Sequence, residues 1–246
     1  MHPVLFHLGS LQIHTYGVLV AAGFLIGITT AAHRAKSAGI EPERINDLGV
    51  ILIVAGMLGG KLFHILFFWH DFITGWRAVG IASLREGFVF FGGFLAASLA
   101  TVVYARIKKL PLAKIADAFA PSCALGHAFG RLGCFFEGCC FGKACSWPWA
   151  VRFPFSPTPR HPTQLYEAAG NLVIFGALSI YYRRKRFDGQ VWWLYVLSYG
   201  VLRFIVEFFR GDYEVHYFGV FTFGQFIAVG MILVALVGWK LCRRST

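Results

Sequence analysis

The sequence is dominated by apolar runs that are separated by short polar segments. A helix needs about 20 mostly apolar residues to cross the hydrocarbon of a bilayer, and seven runs approach that length. The pattern therefore predicts an all-α polytopic membrane protein with about seven transmembrane helices, folded as one integral-membrane domain over residues 1–246. The predicted helices cover residues 15–33, 47–69, 88–105, 112–131, 165–182, 190–209 and 219–241.

The composition favours a membrane protein over one that binds nucleic acid. Of the 246 residues, 57% are hydrophobic and 14% are charged, whereas soluble domains carry about a quarter charged residues. The net charge of +11 comes from lysines and arginines that are grouped between the apolar runs. This distribution is typical of membrane topology signals and of contact with anionic membrane lipids, so nucleic acid is not an expected partner.

The clusters of lysine and arginine predict the orientation of the chain. Cytoplasmic loops are enriched in these residues, and in a seven-helix arrangement all four clusters fall on one side. We therefore expect the N-terminus outside, the C-terminus in the cytoplasm, and segments 70–87, 132–164 and 210–218 on the outer side. The first apolar run is long enough to span, so no cleavable signal peptide is expected. The clusters occupy residues 34–44, 106–114, 183–186 and 240–244.

The stretch Gly130–Gly142 (GRLGCFFEGCCFG) combines four glycines with a cation and an anion. Glycines allow the backbone to approach a neighbour or a ligand closely, and a charge at membrane depth is costly enough to indicate a functional site. Arg131 is the cation, and His127 stands four residues earlier on the same helical face. A histidine in a helix bundle is more often a packing residue than a base, but the neighbouring arginine makes His127 a candidate base.

A second charged group lies in the sixth predicted helix, which ends in RFIVEFFR. Spacings of four and three residues place Arg203, Glu207 and Arg210 on one helical face. Arg210 is close enough to the helix end to reach the membrane interface with its side chain. Arg203 lies about two turns deeper, and a charge at that depth indicates a site or a pathway.

The fifth predicted helix begins with RHPTQLYE at residues 160–167. Proline suits the first turn of a helix, and Thr163 can cap it. A capped helix start among the lipid headgroups and a substrate site explain the polar residues of this segment equally well. These residues are Arg160, His161, Gln164, Tyr166 and Glu167.

Four cysteines follow one another at positions 134, 139, 140 and 145. The spacing lacks the paired C-x₂-C arrangement of zinc sites, and no histidine partners interleave. On the oxidising side of a membrane, disulfides or structural thiols are the expected state. The sequence therefore predicts no metal site and no cofactor, although metal binding or redox catalysis stays open as an alternative.

Five motifs together resemble the bacterial prolipoprotein diacylglyceryl transferase family, in the family's order and over nearly the whole chain. The stretch Gly130–Gly142 is similar to the family signature GRxGNFxNGExxG. The other four are Tyr16-Gly17, REGFVFFGGF at 85–94, RHPTQLYE at 160–167 and RFIVEFFR at 203–210.

The resemblance implies an enzyme of the bacterial inner (cytoplasmic) membrane whose active site faces the periplasmic side. The family transfers the diacylglyceryl group of phosphatidylglycerol to the thiol of the lipobox cysteine in preprolipoprotein signal peptides. The catalytic residues expected from the motifs are Arg131, Arg203 and Glu207, with His127 as the candidate base. The expected substrate-binding residues are Tyr16, Gly92, Gly93, Gly130, Gly142, His161, Gln164, Tyr166 and Arg210.

Three departures from the family pattern limit what can be transferred. Cys134 stands where the signature has Asn, Cys139 where it has Glu, and Phe91 where some members carry His. Because Phe91 removes one proposed base, the base cannot be assigned from the resemblance. Three other functions stay open: a related transferase with another acceptor, a binding or transport protein for an anionic lipid, and a thiol-redox membrane protein.

Overall fold

The computed structural model describes residues 2–9, 11–79, 87–154, 156–211 and 221–244. It contains two compact units, one formed by Met1–Arg34 with Ala116–Thr246 and the other by Ala35–Ile115. Within the described residues there are one β-hairpin and eight helices. These are β1 (Val4–Leu8), β2 (Leu11–His14), α1 (Thr15–Ser37), α2 (Pro42–Phe67), α3 (Trp69–Val79), α4 (Phe90–Ile107), α5 (Leu112–Glu137), α6 (Thr163–Tyr182), α7 (Gln190–Glu207) and α8 (Phe223–Arg244).

The expectation of a mostly helical membrane protein is confirmed. Each of the seven predicted segments overlaps one of the longer helices. Four helices of the described chain are long and apolar enough to cross a membrane by length and composition: Thr15–Ser37, Pro42–Phe67, Phe90–Ile107 and Phe223–Arg244. Helices α5, α6 and α7 carry more small and polar residues, which accords with their contribution of buried polar side chains to the first unit.

Three features differ from the sequence prediction. Helix α5 continues to Glu137, so the first eight residues of Gly130–Gly142 are helical and do not form an outer loop. Helix α3 occupies most of the described part of the predicted loop 70–87. The antiparallel hairpin of β1 and β2 precedes α1, where an all-α fold was predicted, and the turn between the strands begins with Gly9 at φ +61°.

The core of the first unit lies where α5, α6 and α7 meet. It is built from small residues of α5, Ala120 and Ala124, packed with larger ones of α6 and α7, including Ile174, Leu178 and Val191. Small residues let helix backbones approach closely, which is the main source of helix association in a membrane. This packing fixes the relative positions of the polar side chains that α5, α6 and α7 carry.

Asp117 of α5 caps the start of α7 from a distance in sequence. Its carboxylate accepts hydrogen bonds from the backbone N–H groups of Gly189, Val191 and Trp192 at 2.9–3.0 Å, and from Lys185 Nζ at 2.8 Å. The first N–H groups of a helix have no partner within it, so the fully buried Asp117 satisfies them. Burial lowers the pKa of Lys185, but its hydrogen bonds to Asp117 and Asp188 outweigh this effect and raise it.

The second unit is organised by close contact between α2 and α4. A methyl group added at Gly93 would lie 2.8 Å from the carbonyl oxygen of Gly56, and one added at Gly92 or Gly59 would meet the opposite helix still more closely. The tyrosine hydroxyl of Tyr104 donates to the backbone carbonyl of Arg44 at 3.0 Å. Glycine is required at these positions because the two backbones touch there.

Candidate functional site

A buried carboxylate, Glu167, joins side chains from three helices. Its Oε2 lies 3.0 Å from Arg131 Nε and 3.6 Å from Arg203 Nη1, and its Oε1 accepts a hydrogen bond of 3.0 Å from the Tyr199 hydroxyl. His127 Nε2 is 3.4 Å from the same Oε1. The Glu167 side chain is only 1% exposed. A charge so deeply buried is stable only when it is paired and hydrogen-bonded, and here four neighbours supply that.

A second buried carboxylate, Glu207, extends this arrangement. Its Oε2 lies 2.8 Å from Arg203 Nη2 and 3.8 Å from Arg210 Nε, and its Oε1 accepts a hydrogen bond of 2.8 Å from Thr222. We call Arg131, Arg203, Arg210, Glu167 and Glu207 the arginine–carboxylate centre. Among the described side chains of this centre, three guanidinium groups lie around two carboxylates.

Helical spacing explains how the sequence assembles this centre. His127 and Arg131 are four residues apart on α5, and Tyr199, Arg203 and Glu207 follow one another at intervals of four on α7. Residues at this spacing share one face of a helix. Glu167 comes from α6, which packs beside α7. The three faces meet, and each element contributes groups that would be unpaired without the others.

The segment after α5 is tied to the end of α7 by backbone hydrogen bonds. Gly142 pairs with Arg210 in an isolated bridge, and Lys143 N donates to the Phe209 carbonyl at 2.8 Å. A methyl group at Gly142 would lie 2.7 Å from His161 Cβ, so the close approach requires glycine. Arg210 is only 7% exposed. The expectation that its side chain extends to the membrane interface therefore does not match its surroundings in the structure.

Aromatic residues cover this junction. His161 Nδ1 lies 3.0 Å from the Tyr166 hydroxyl, which accepts a hydrogen bond of 2.8 Å from Trp149 Nε1. The His161 ring also contacts the rings of Trp147 and Phe209 at 5.2 and 5.3 Å between centroids. Burial lowers the pKa of His161, which favours the neutral imidazole.

The cysteines form no disulfide, which leaves the structural thiols of the two expected states. All six lie in described residues. Three of them, Cys134, Cys139 and Cys140, form what we call the thiol cluster, because their sulfur atoms all lie within 4.8 Å of one another. Cys145 is not part of that group.

The remaining predicted site residues take different positions. Tyr16 packs on Gly133, where a methyl group would lie 2.8 Å from the tyrosine ring. Gln164 donates from Nε2 to the Cys139 carbonyl at 2.6 Å, and Gly130 has open space beside it. Gly92 and Gly93 belong to the second unit, where contact with α2 gives them a packing role. Their part in substrate binding stays a prediction.

Comparison with known proteins gives a family match over nearly the whole chain. The family described as "Prolipoprotein diacylglyceryl transferase" matches residues 3–241. The chain belongs to this family. Relatives named phosphatidylglycerol–prolipoprotein diacylglyceryl transferase include one from Clostridium tetani, 34% identical over 248 residues (99% of this chain, 98% of the relative). Others are from Geobacter sulfurreducens, 35% identical over 95% of this chain and 92% of the relative, and Nitratidesulfovibrio vulgaris (strain Hildenborough), 36% identical over 97% and 93%.

In this member of the diacylglyceryl transferase family, sequence reasoning left two central side chains out of the expected site residues. Glu167 belongs to the RHPTQLYE motif, whose polar residues were explained equally well by a capped helix start and by a substrate site, and it contacts both Arg131 and Arg203. Tyr199 was not singled out, although it stands four residues before Arg203 on the same helical face. That spacing was a usable signal for Tyr199. Nothing in the sequence signalled that Glu167 would lie opposite Arg131.

Proposed function

We propose that the protein transfers the diacylglyceryl group of phosphatidylglycerol to the lipobox cysteine thiol of preprolipoproteins, the first step of lipoprotein maturation. Membership of the transferase family supports this reaction. The observation that carries it to particular residues is the arginine–carboxylate centre, in which Glu167 and Glu207 hold guanidinium groups from two helices close together. Charged groups buried at membrane depth usually mark a site, and guanidinium groups suit a phosphate headgroup.

In this proposal, Arg131 and Arg203 bind the lipid phosphate. A guanidinium group offers a planar fork of donors that matches phosphate oxygens in pairs. Glu167 holds both arginines through ion pairs at 3.0 and 3.6 Å, and Glu207 holds Arg203 from the other side at 2.8 Å. The arginines are therefore fixed before the lipid arrives and stabilise the charge that develops on the departing phosphate.

His127 is the proposed base for the acceptor thiol. A free thiol has a pKa of about 8.5, so a proton acceptor assists its attack at neutral pH. Glu167 Oε1, 3.4 Å from His127 Nε2, would stabilise the imidazolium that forms. The acceptor sulfur then attacks the glycerol carbon of the lipid, and phosphoglycerol leaves with the electron pair of the carbon–oxygen bond.

The other predicted site residues are proposed to contact the lipid or the signal peptide. They are Tyr16, Gly92, Gly93, Gly130, Gly142, His161, Gln164, Tyr166 and Arg210. Gln164 offers a specific means of doing so, because its buried Oε1 has no hydrogen-bond donor among the described residues. A donor from the substrate would satisfy it.

The proposal includes the membrane arrangement expected from the sequence. Seven helices cross the bacterial inner membrane, the N-terminus is outside and the C-terminus is cytoplasmic, and the centre faces the outer side. Labelling of single cysteines introduced at the exposed Ser37 and Ser146 with a membrane-impermeant maleimide, in a variant without native cysteines, tests this orientation. Labelling at Ser37 but not at Ser146 in intact spheroplasts would contradict it.

The reaction is tested with the purified full chain, phosphatidylglycerol labelled in its acyl chains and a lipobox peptide. We expect covalent label on a peptide with cysteine and none on the matched peptide with serine. Arg203→Ala should lower the rate by about 100- to 1000-fold, whereas Arg184→Ala, which removes an exposed cation, should leave it unchanged. Lipid binding without covalent transfer would instead indicate a lipid-binding or transport protein.

A further inference from the structure

The spacing of the three sulfur atoms in the thiol cluster is close to that of ligands around one metal ion. The sulfur atoms of Cys139 and Cys140 are 3.6 Å apart, and all three lie within 4.8 Å of one another. In a tetrahedral zinc site, bonds of about 2.3 Å place neighbouring sulfurs about 3.8 Å apart. Only small side-chain rotations are therefore needed to bring the three sulfurs to a common ion.

The end of α5 builds this cluster by its capping geometry. Gly138 takes the left-handed conformation at φ +79°, and Cys139 N donates back to the Cys134 carbonyl at 3.2 Å. This is the bond of a Schellman cap, which places the residue after the glycine against the residue five positions earlier. Cys139 is thereby folded back over Cys134.

Cys140 is held in the cluster by its backbone. It is one of two described non-glycine residues with positive φ, at +62°, a conformation that costs free energy unless the surroundings enforce it. The Thr163 hydroxyl donates to the Cys140 carbonyl at 3.0 Å, and Gln164 Nε2 donates to the Cys139 carbonyl at 2.6 Å. Two side chains from the start of α6 therefore fix the turn that places the Cys140 thiol beside the other two.

We propose that Cys134, Cys139 and Cys140 bind one Zn²⁺ ion through their thiolates and leave its fourth position open for the acceptor thiol of the transfer reaction. This role for the ion rests on the proposed function, whereas the metal site itself does not. Three protein ligands with one open position are the arrangement of catalytic zinc sites, and four protein ligands that of structural ones.

The alternative of a disulfide fits the geometry less well. Consecutive Cα atoms are 3.8 Å apart across a trans peptide, which is shorter than the usual separation of at least about 4.4 Å for bridged cysteines, so Cys139 and Cys140 are poorly placed to pair. A bond between Cys134 and Cys139 would leave Cys140 as a third thiol at the same point. Binding of an ion uses all three.

The local charge also suits the ion. Three thiolates and one Zn²⁺ carry a net charge of −1, and a cation stands nearby on α5. Cys134 stands three residues after Arg131 on α5, so the two side chains are neighbours on the helix surface. A thiol bound to the ion would lie beside the arginine that binds the phosphate.

The chemistry of the step is balanced without an oxidant or reductant. The acceptor thiol binds the ion and loses its proton, because a metal-coordinated thiol is deprotonated, and the proton passes to His127. The bound sulfur attacks the glycerol carbon of the lipid, forming the sulfur–carbon bond as the carbon–oxygen bond breaks. The phosphate oxygen keeps the electron pair of that bond. The ion thus activates the acceptor thiol, and the proposed base His127 takes up its proton.

The metal site is tested on the purified full chain by loading it with Co²⁺, which reports thiolate ligands through charge-transfer absorption in the near ultraviolet. We expect one ion per chain and a spectrum of three thiolates. Zn²⁺ should displace the Co²⁺. The variants Cys139→Ser and Cys140→Ser should each lose the spectrum, while Cys145→Ser and Cys123→Ala should keep it. Sub-stoichiometric metal in wild type, or an unchanged spectrum in Cys139→Ser or Cys140→Ser, would overturn the site.

The open position is tested by adding lipobox peptide to the Co²⁺-loaded protein. A rise in charge-transfer absorption with the cysteine peptide, and none with the serine peptide, is the expected result and needs no turnover. No change with either peptide, loss of metal in Cys145→Ser, or a Cys134–Cys139 disulfide found by mass spectrometry would each overturn the proposal. If the spectra change as expected and no lipid is transferred, the metal and thiol site stands and the proposed function fails.

Discussion

The carboxylate of Glu167 and the guanidinium of Arg131 form an ion pair of 3.0 Å in which the carboxylate is 1% exposed. This pair joins α6 to α5. It also sets the position of Arg203, which lies 3.6 Å from the same carboxylate oxygen. Three helices of the first unit are thus connected through one side chain. Removal of that side chain should weaken the packing of all three.

Glu167→Ala should lower both stability and activity. It leaves two arginines without their shared counter-ion, and breaking a buried pair in this way costs about 3–5 kcal/mol of unfolding free energy. Displacement of the arginines should also lower the transfer rate about 100-fold. Thermal unfolding in detergent and the labelled-lipid assay measure the two effects.

Glu167→Gln keeps the shape of the side chain and an acceptor for Tyr199. Its unfolding midpoint should therefore be closer to that of wild type, while its activity should still be lost. Wild-type turnover in the Gln variant would contradict the positioning role.

Gly142→Ala and Gly176→Ala should change stability in opposite directions. A methyl group at Gly142 meets His161 Cβ at 2.7 Å and Thr163 Cγ2 at 2.8 Å, and overpacking of this kind costs about 1–3 kcal/mol. At Gly176, within α6, no atom lies within 4 Å, so the gain in helix propensity should add up to about 1 kcal/mol. Unfolding midpoints of both variants, measured side by side, decide the matter. A Gly142→Ala variant as stable as wild type would show that the junction with α7 adapts easily.

Asp117→Ala should destabilise the first unit without any direct effect on the centre. The fully buried carboxylate accepts from three backbone N–H groups at the start of α7 and from Lys185. Leaving them unsatisfied should cost about 3 kcal/mol or more. Asp188→Ala is the matched control, because this half-exposed residue also pairs with Lys185 and should cost less than about 1 kcal/mol. Equal unfolding midpoints for the two variants would argue against the capping role.

The stability of the protein should fall as the pH drops from about 7.5 towards 5.5, and His161 should contribute to that fall. Burial lowers the pKa of His161 in the folded state. Between the unfolded value of about 6.5 and the lower folded value, the unfolded chain therefore binds more protons, and stability decreases as the pH falls. His161→Asn keeps a donor near Tyr166 and should flatten the dependence of the unfolding midpoint on pH. His70→Asn, at an exposed position, is the control, and an equal effect of both variants would exclude a specific role for His161.

The helices could be predicted from the sequence because each apolar run is a local signal. The same is true of the charges on α7, since Arg203 and Glu207 are one turn apart and their pairing follows from helix geometry. Contacts between helices could not be predicted in this way. That Asp117 caps a helix more than seventy residues away depends on how α5 and α7 pack, which no periodicity reports.

The thiol cluster shows the same limit at shorter range. The spacing of Cys134, Cys139 and Cys140 departs from the paired pattern of zinc sites, and so it favoured disulfides or structural thiols. The structure shows that the continuation of α5 to Glu137 and the cap at Gly138 fold the second and third cysteines back onto the first. The relevant signal was a glycine directly before Cys139, which becomes informative only once the end of the helix is known.

The three guanidinium groups of the arginine–carboxylate centre would meet both the substrate and the product of the proposed reaction. The phosphodiester of the lipid carries one negative charge. The phosphomonoester that leaves carries closer to two, because its second ionisation has a pKa of about 6. The same arginines therefore attract the product at least as strongly as the lipid, so glycerol phosphate should inhibit the enzyme by competing with the next lipid molecule.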